Sequence, residues 1–159
     1  MTRSEKLANE LHVSIYGDPW HGSSAADILK EVAVEDAYAR KISAAHNIIE
    51  LVLHTTSWTE EIINRFQGNQ PSQPPMGDWP TPQQQTIEYW ETVKRNFFEI
   101  HDKLISVLKT FPEGDLDKII GTERVPELGT GFSFEGLIWG IIQHNSYHLG
   151  QVSLLKKFI

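Results

Sequence analysis

Four stretches of this chain repeat apolar residues at helical spacing against a polar background, which restricts it to folds that bury helix stripes against one another. The first, Thr2–Tyr16, carries Leu7, Leu11 and Ile15 and is stopped by Gly17. The second, Ser43–Gln67, carries Ile48, Leu51, Trp58 and Ile62, with Ser43 as its expected cap and Gly68 as its stop. The third is expected to begin at Thr81-Pro82, with proline at the first helical position and Gln84 just inside. Its stripe runs Ile87, Trp90, Phe97, Phe98, His101, Leu104, Ile105 and Leu108 and stops near Phe111-Pro112. The fourth, Phe134–Phe158, follows Ser133 as its cap. No such helix is stable alone, because each would leave its apolar stripe in water. Packing the stripes together predicts an all-α four-helix bundle.

The connections refine this picture. Asp18–Gly22 reads as a turn, and Ser24 with Asp27 three residues on caps a short helix to about Val32. Asn69–Pro80 holds Pro71, Pro74, Pro75, Gly77 and Pro80, so it excludes regular structure and is the longest connection in the chain. It can run along the bundle, so the second and third helices need not be antiparallel neighbours and a long crossover is expected. A further short helical turn is expected at Leu116–Ile120, and Glu123–Val125 is the strongest strand-like run. A length of 159 residues suits a single domain, 1–159.

Composition removes several function classes. Fourteen Lys plus Arg against 21 Asp plus Glu leave a formal charge of -7, which argues against nucleic acid as a partner. No apolar run reaches the roughly 18 residues of a membrane span, and no signal pattern opens the chain, so a cytoplasmic location away from membranes is expected. With no cysteine, any metal must be held by nitrogen and oxygen, and no protein thiol can act as nucleophile.

Histidine placement carries the functional signal. His144 and His148 lie one helical turn apart, and with Leu137, Ile141 and Leu155 they fall within roughly 60° on the fourth helix. Two imidazoles on an apolar stripe need partners for their ring nitrogens, either as separately bonded core histidines or as joint ligands of one ion. The intervening Asn145 and Ser146 exclude the glutamate base of a zinc-protease helix motif. His54 sits at the edge of the second helix's apolar face, where a boundary residue is the commoner outcome. His101 lies at the centre of the third stripe and reads as a core histidine bonded to a carbonyl, with a fourth-ligand role as the alternative. His12 and His46 read as solvated or locally bonded, and His21 lies in a turn that can reach a cavity mouth.

Three motifs resemble the DinB superfamily of small metal-binding helical bundles. Asn47–His54 followed by Trp58 resembles its second-helix motif. Gln143-His144-Asn145-Ser146-Tyr147-His148-Leu149-Gly150-Gln151 is similar to its last-helix motif, and Trp20–Ser24 to the turn after the first helix in one branch. The resemblance covers nearly the whole chain. It implies that His54, His144 and His148 hold one divalent ion in a cleft between the second and fourth helices, that the bundle has a crossover topology, and that the protein forms a homodimer. It implies no single reaction, since relatives include thiol-dependent transferases and isomerases, described hydrolases, and proteins without known activity.

Three imidazoles suit zinc or nickel and leave a coordination position open. Such an ion can activate water, giving a hydrolase, or a low-molecular-weight thiol, giving an S-transferase with a small-molecule substrate. A non-catalytic metal-binding stress-response protein and a protein-interaction bundle are the alternatives. Metal binding is expected to collapse below about pH 6, where ordinary imidazoles protonate. Gln151, one turn after His148, is a candidate to orient a ligand, and Glu50, one turn before His54, is the nearby carboxylate to test as a base.

Overall fold

Each long helix starts where a side chain satisfies backbone donors that the helix itself leaves free. The computed structural model of the chain describes residues 1–158. Its helices are α1 (Arg3–Tyr16), the short α2 (Ala25–Lys30) and α3 (Val34–Tyr38), then α4 (Ile48–Phe66), α5 (Ile87–Thr110) and α6 (Phe134–Leu155). Thr2 and Glu5 form a reciprocal capping box at α1, and Asn47 and Glu50 form another at α4. Ser133 caps α6 as expected, accepting from Gly136 N at 3.1 Å.

Two expected starts are corrected. The helix assigned to Ser43 begins at Ile48, because Asn47 has a glutamate three residues on and Ser43 has only His46 there. The helix assigned to Thr81-Pro82 begins at Ile87, because Thr86 accepts from Tyr89 N and the glutamines before it bury no face. The turn expected at Leu116–Ile120 is a 3-10 turn at Glu113–Asp115. No strand forms among the described residues; one antiparallel bridge joins Ile119 to Ser133.

Contacts between helix ends give the topology. Ser4 Oγ in α1 donates to Phe111 O just past α5, and Tyr16 at the other end of α1 reaches Asp102, so α1 and α5 are antiparallel. Phe66, Phe111 and Phe134 cluster with ring centroids 4.6–5.0 Å apart, which gathers the ends of α4 and α5 and the start of α6. Neighbouring α4 and α5 are therefore parallel, and α6 runs against both. The expected crossover makes this possible. From the end of α4 the proline-rich connection runs back along it, with Ser72 N on Glu61, Gly77 O taking the Ser57 hydroxyl and Asp78 O meeting His54. It thus delivers the chain to the end where α4 began.

The four stripes meet in a common core. Leu11, Ile15, Ile49, Ile63, Phe97, Leu104, Leu108, Ile138 and Val152 are at most 1% exposed. Burying each such side chain contributes about 1.5–3 kcal/mol before entropy is counted. No helix among the described residues is long and apolar enough to cross a membrane.

Candidate metal centre

Antiparallel packing of α6 on α4 brings the middle of one helix against the middle of the other. His54 from α4 and His144 and His148 from α6 meet there. The Nε2 atom of His144 lies 2.9 Å from that of His54 and 3.1 Å from that of His148. Three nitrogens around one tetrahedral zinc would lie roughly 3.3 Å apart, given Zn–N distances of about 2.0–2.1 Å. His54 and His148 are buried and His144 half-buried.

Tethers on the outer ring nitrogens fix which way the lone pairs point. His54 Nδ1 lies 2.5 Å from the Asp78 carbonyl, which can only accept, so Nδ1 carries the proton and Nε2 the lone pair. His148 Nδ1 lies 2.7 Å from Gln151 Oε1, with the same consequence. Two lone pairs therefore face His144 Nε2, which has one proton at most to offer. Protein hydrogens alone leave at least one of these lone pairs without a donor, whereas a cation at their focus satisfies all three nitrogens. His144 Nδ1 is buried without a protein partner. The residues fit a metal.

Electrostatics agree. Burial pushes all three imidazoles below their ordinary value, and the neighbouring rings press His144 further, to about 3. For His54 the Asp78 carbonyl and carboxylate oppose burial without overcoming it. The trio is neutral at pH 7, as metal ligands must be.

The surroundings are aromatic and apolar. The Trp79 ring stacks on His54 at 3.8 Å and on His46 at 3.6 Å, almost parallel to both. Trp58 Nε1 donates to Asp78 Oδ1 at 2.6 Å, anchoring the connection beside the histidines. A groove of about 410 Å³ opens on the His148 side, lined by Leu51, Trp79, Tyr147, Gln151 and Leu154 among others. A second pocket, about 220 Å³, opens on the His144 side.

The remaining candidates fall into place. His101 has the core role expected of it: Nδ1 donates to Phe97 O at 2.7 Å, and Nε2 accepts from Asn145 Nδ2 at 2.8 Å. With both nitrogens taken, it offers no fourth ligand. Glu50 is a poor base. Burial raises its pKa, but the Asn47 N–H, His46 and Arg40 outweigh that and hold it below the usual carboxylate value. Gln151 tethers His148. His21 reaches only Ser146, at 3.4 Å, His12 is exposed beside Tyr16, and His46 is bonded to Glu50 at 3.1 Å. Asp78 and Trp79 were not legible beforehand: they sit in an aperiodic connection, and only their tertiary contacts give them a role.

Replacing Gln151 by leucine removes the acceptor that holds His148 in its ligating tautomer. Metal affinity is expected to fall about 10–100-fold, measured by competition with a chromophoric chelator, with the helical circular dichroism unchanged.

Fold and site together define a helical bundle with a crossover and a three-histidine centre able to hold a metal ion. A family model of the DinB superfamily matches residues 20–152, and the chain belongs to that superfamily. Neither a curated protein nor a solved structure matches it.

Proposed function

We propose that this protein is a metal-dependent enzyme acting on a small molecule, with His54, His144 and His148 holding one divalent ion, zinc or nickel. The observation that supports it most is the convergence of three neutral imidazole nitrogens beside a groove large enough for a substrate. Only three strong ligands meet, whereas structural zinc sites usually close with four.

When bound, the ion would supply a Lewis-acid position at which water or a small thiol loses its proton more readily. The chain's residues do the rest. Asp78 O and Gln151 hold two imidazoles in the ligating tautomer. Trp79 covers His54 and limits water, and Leu51, Tyr147 and Leu154 present an apolar surface to the substrate. Thiol transfer is favoured over hydrolysis on one observation. Glu50 is tied to Arg40 and the α4 cap and is not free to take a proton from water, which leaves only the outer oxygen of the half-exposed Asp78, whose Oδ1 accepts from Trp58. A thiol is acidic enough to need less help.

The test is a turnover screen of the metal-loaded protein. Low-molecular-weight thiols such as cysteine or glutathione with 1-chloro-2,4-dinitrobenzene should give metal-dependent conjugation, and p-nitrophenyl esters and phosphoesters slower release. Faster ester release reverses the order of the two readings. No turnover in either screen, with metal bound, returns the protein to the non-catalytic class.

Depressed imidazole pKa values also revise the expected pH limit. Three ordinary imidazoles of pKa about 6.5 would lose about a thousandfold in affinity between pH 7.5 and 5.5. Here protons compete only below the lowered values, so calorimetric titration should show a much smaller loss, with binding persisting below pH 6.

A further inference from the structure

Arg65 is the most deeply buried cation of the described chain, 2% exposed, and its guanidinium is only partly satisfied. Its Nε donates to Glu61 Oε1 at 3.1 Å, while Nη1 and Nη2 are buried with no partner in the protein. Glu61 is committed elsewhere as well, accepting from Ser72 N at 2.8 Å. Four N–H groups of a charged side chain are thus withdrawn from water and left unpaired. That costs far more than a neutral orphan unless something fills the gap.

The side chain lines the 220 Å³ pocket that has His144 on its wall. His54, Trp58, Ile62 and Arg65 follow one another at helical spacing on α4, and the pocket runs along that face from Trp58 and His144 to the arginine. The separation is eleven residues, about 16 Å of helix rise, and a helical side chain as long as arginine leans back towards the N-terminal end, here towards the histidines. Trp58, Ile62, Leu137 and Ile141 supply apolar walls, and the Pro126–Leu128 turn with Gly129 closes the far side. Glu127 is exposed at the rim and makes no ion pair with Arg65.

We propose that Arg65 is an anion-binding subsite that takes the carboxylate of a small acid with an apolar body, the other end of which reaches the three histidines. With Nε occupied by Glu61, the unpaired Nη1–Nη2 edge, sealed from water in the empty protein, has two parallel donors that a turn of the guanidinium into the pocket would offer to a carboxylate in bidentate fashion. Trp58 and the aliphatic walls fit a hydrocarbon chain or ring, and the small volume excludes a nucleotide or peptide. The claim that this acid is a substrate rests on the metal-enzyme reading above; the claim that the pocket binds it does not.

Octanoate is the probe, titrated calorimetrically into the metal-free protein, with 1-octanol and octylamine as the neutral and cationic counterparts. Octanoate should bind at least tenfold tighter than either. Arg65→Gln should remove that preference, but it also strips Glu61 of its partner and can unfold the chain. Gly140→Met is the second variant: Gly140 lies on the pocket wall with nothing within 4 Å of where a Cβ would sit, so the added side chain blocks the pocket without touching Arg65. It should abolish octanoate binding and leave the melting temperature and metal content unchanged. His144→Ala should lose metal and keep octanoate, which separates failure of the metal reading from failure of this one. Equal binding of octanoate and octanol, or octanoate binding undiminished in Gly140→Met, overturns the proposal.

Discussion

Replacing His144 by alanine is expected to reduce bound divalent metal from about one ion per chain to background, while the fold survives. His144 Nε2 is the middle of the three converging nitrogens, within 2.9 and 3.1 Å of the other two. Its removal leaves two ligands on different helices with nothing between them. The affinity loss should exceed the 10–100-fold expected when an outer tether such as Gln151 is lost. Stability of the metal-free protein should change little, because the ring is half-buried and its Nδ1 has no partner to lose. Elemental analysis and melting curves with and without metal make the check. Metal at a hundredfold excess over its dissociation constant adds about 2.7 kcal/mol to the wild type. His144→Ala should lose that increment, and His12→Ala should keep it. Equal metal in both variants refutes the triad.

Acid should weaken the metal-free protein, with His101 as a major cause. Complete burial between α4, α5 and α6 drives this imidazole down to about 4, although the Phe97 carbonyl favours its charged form. A group depressed in the folded state stabilises the fold above its unfolded value, about 6.5. That contribution disappears as pH falls through the window down to about 4, because the unfolded chain takes up the proton first. The shift corresponds to about 2–3 kcal/mol lost between pH 7.5 and 4.5. His101→Gln should flatten the dependence by that amount in urea unfolding at the two pH values, whatever its effect at neutral pH. Parallel curves for the two proteins would mean that water reaches His101 and the burial argument fails.

Periodicity located all four long helices because each must hide one face, and that requirement is written directly into Leu7, Leu11 and Ile15 or Phe97, Leu104 and Leu108. Their starts were less legible. Asn47 and Thr86 displaced Ser43 and Thr81 because a cap is decided by which side chain meets a free N–H, a competition that residue type alone does not rank. The His144–His148 pair was readable for the same reason as the stripes, both being on one helix. His54 lay at the edge of its face, and only the family motif joined it to the others. Asp78, Trp79 and Arg65 left no local trace. The first two lie in a segment without a period, and an arginine on a helix normally reports a solvated surface.

One consequence follows from the atom that secures His54. That atom is the main-chain oxygen of Asp78, which every amino acid possesses, so changing the residue type at this position leaves the acceptor in place. The connection's path brings the oxygen there, set by its prolines and by the Ser72 and Gly77 contacts to α4. Evolution is therefore freer to change the letter at position 78, where asparagine still offers Trp58 an acceptor, than to change the measure of the strap. Removing a single residue between Pro71 and Gly77 should disturb the imidazole more than exchanging Asp78 for asparagine, and surviving relatives should vary at position 78 more readily than in the length of the strap.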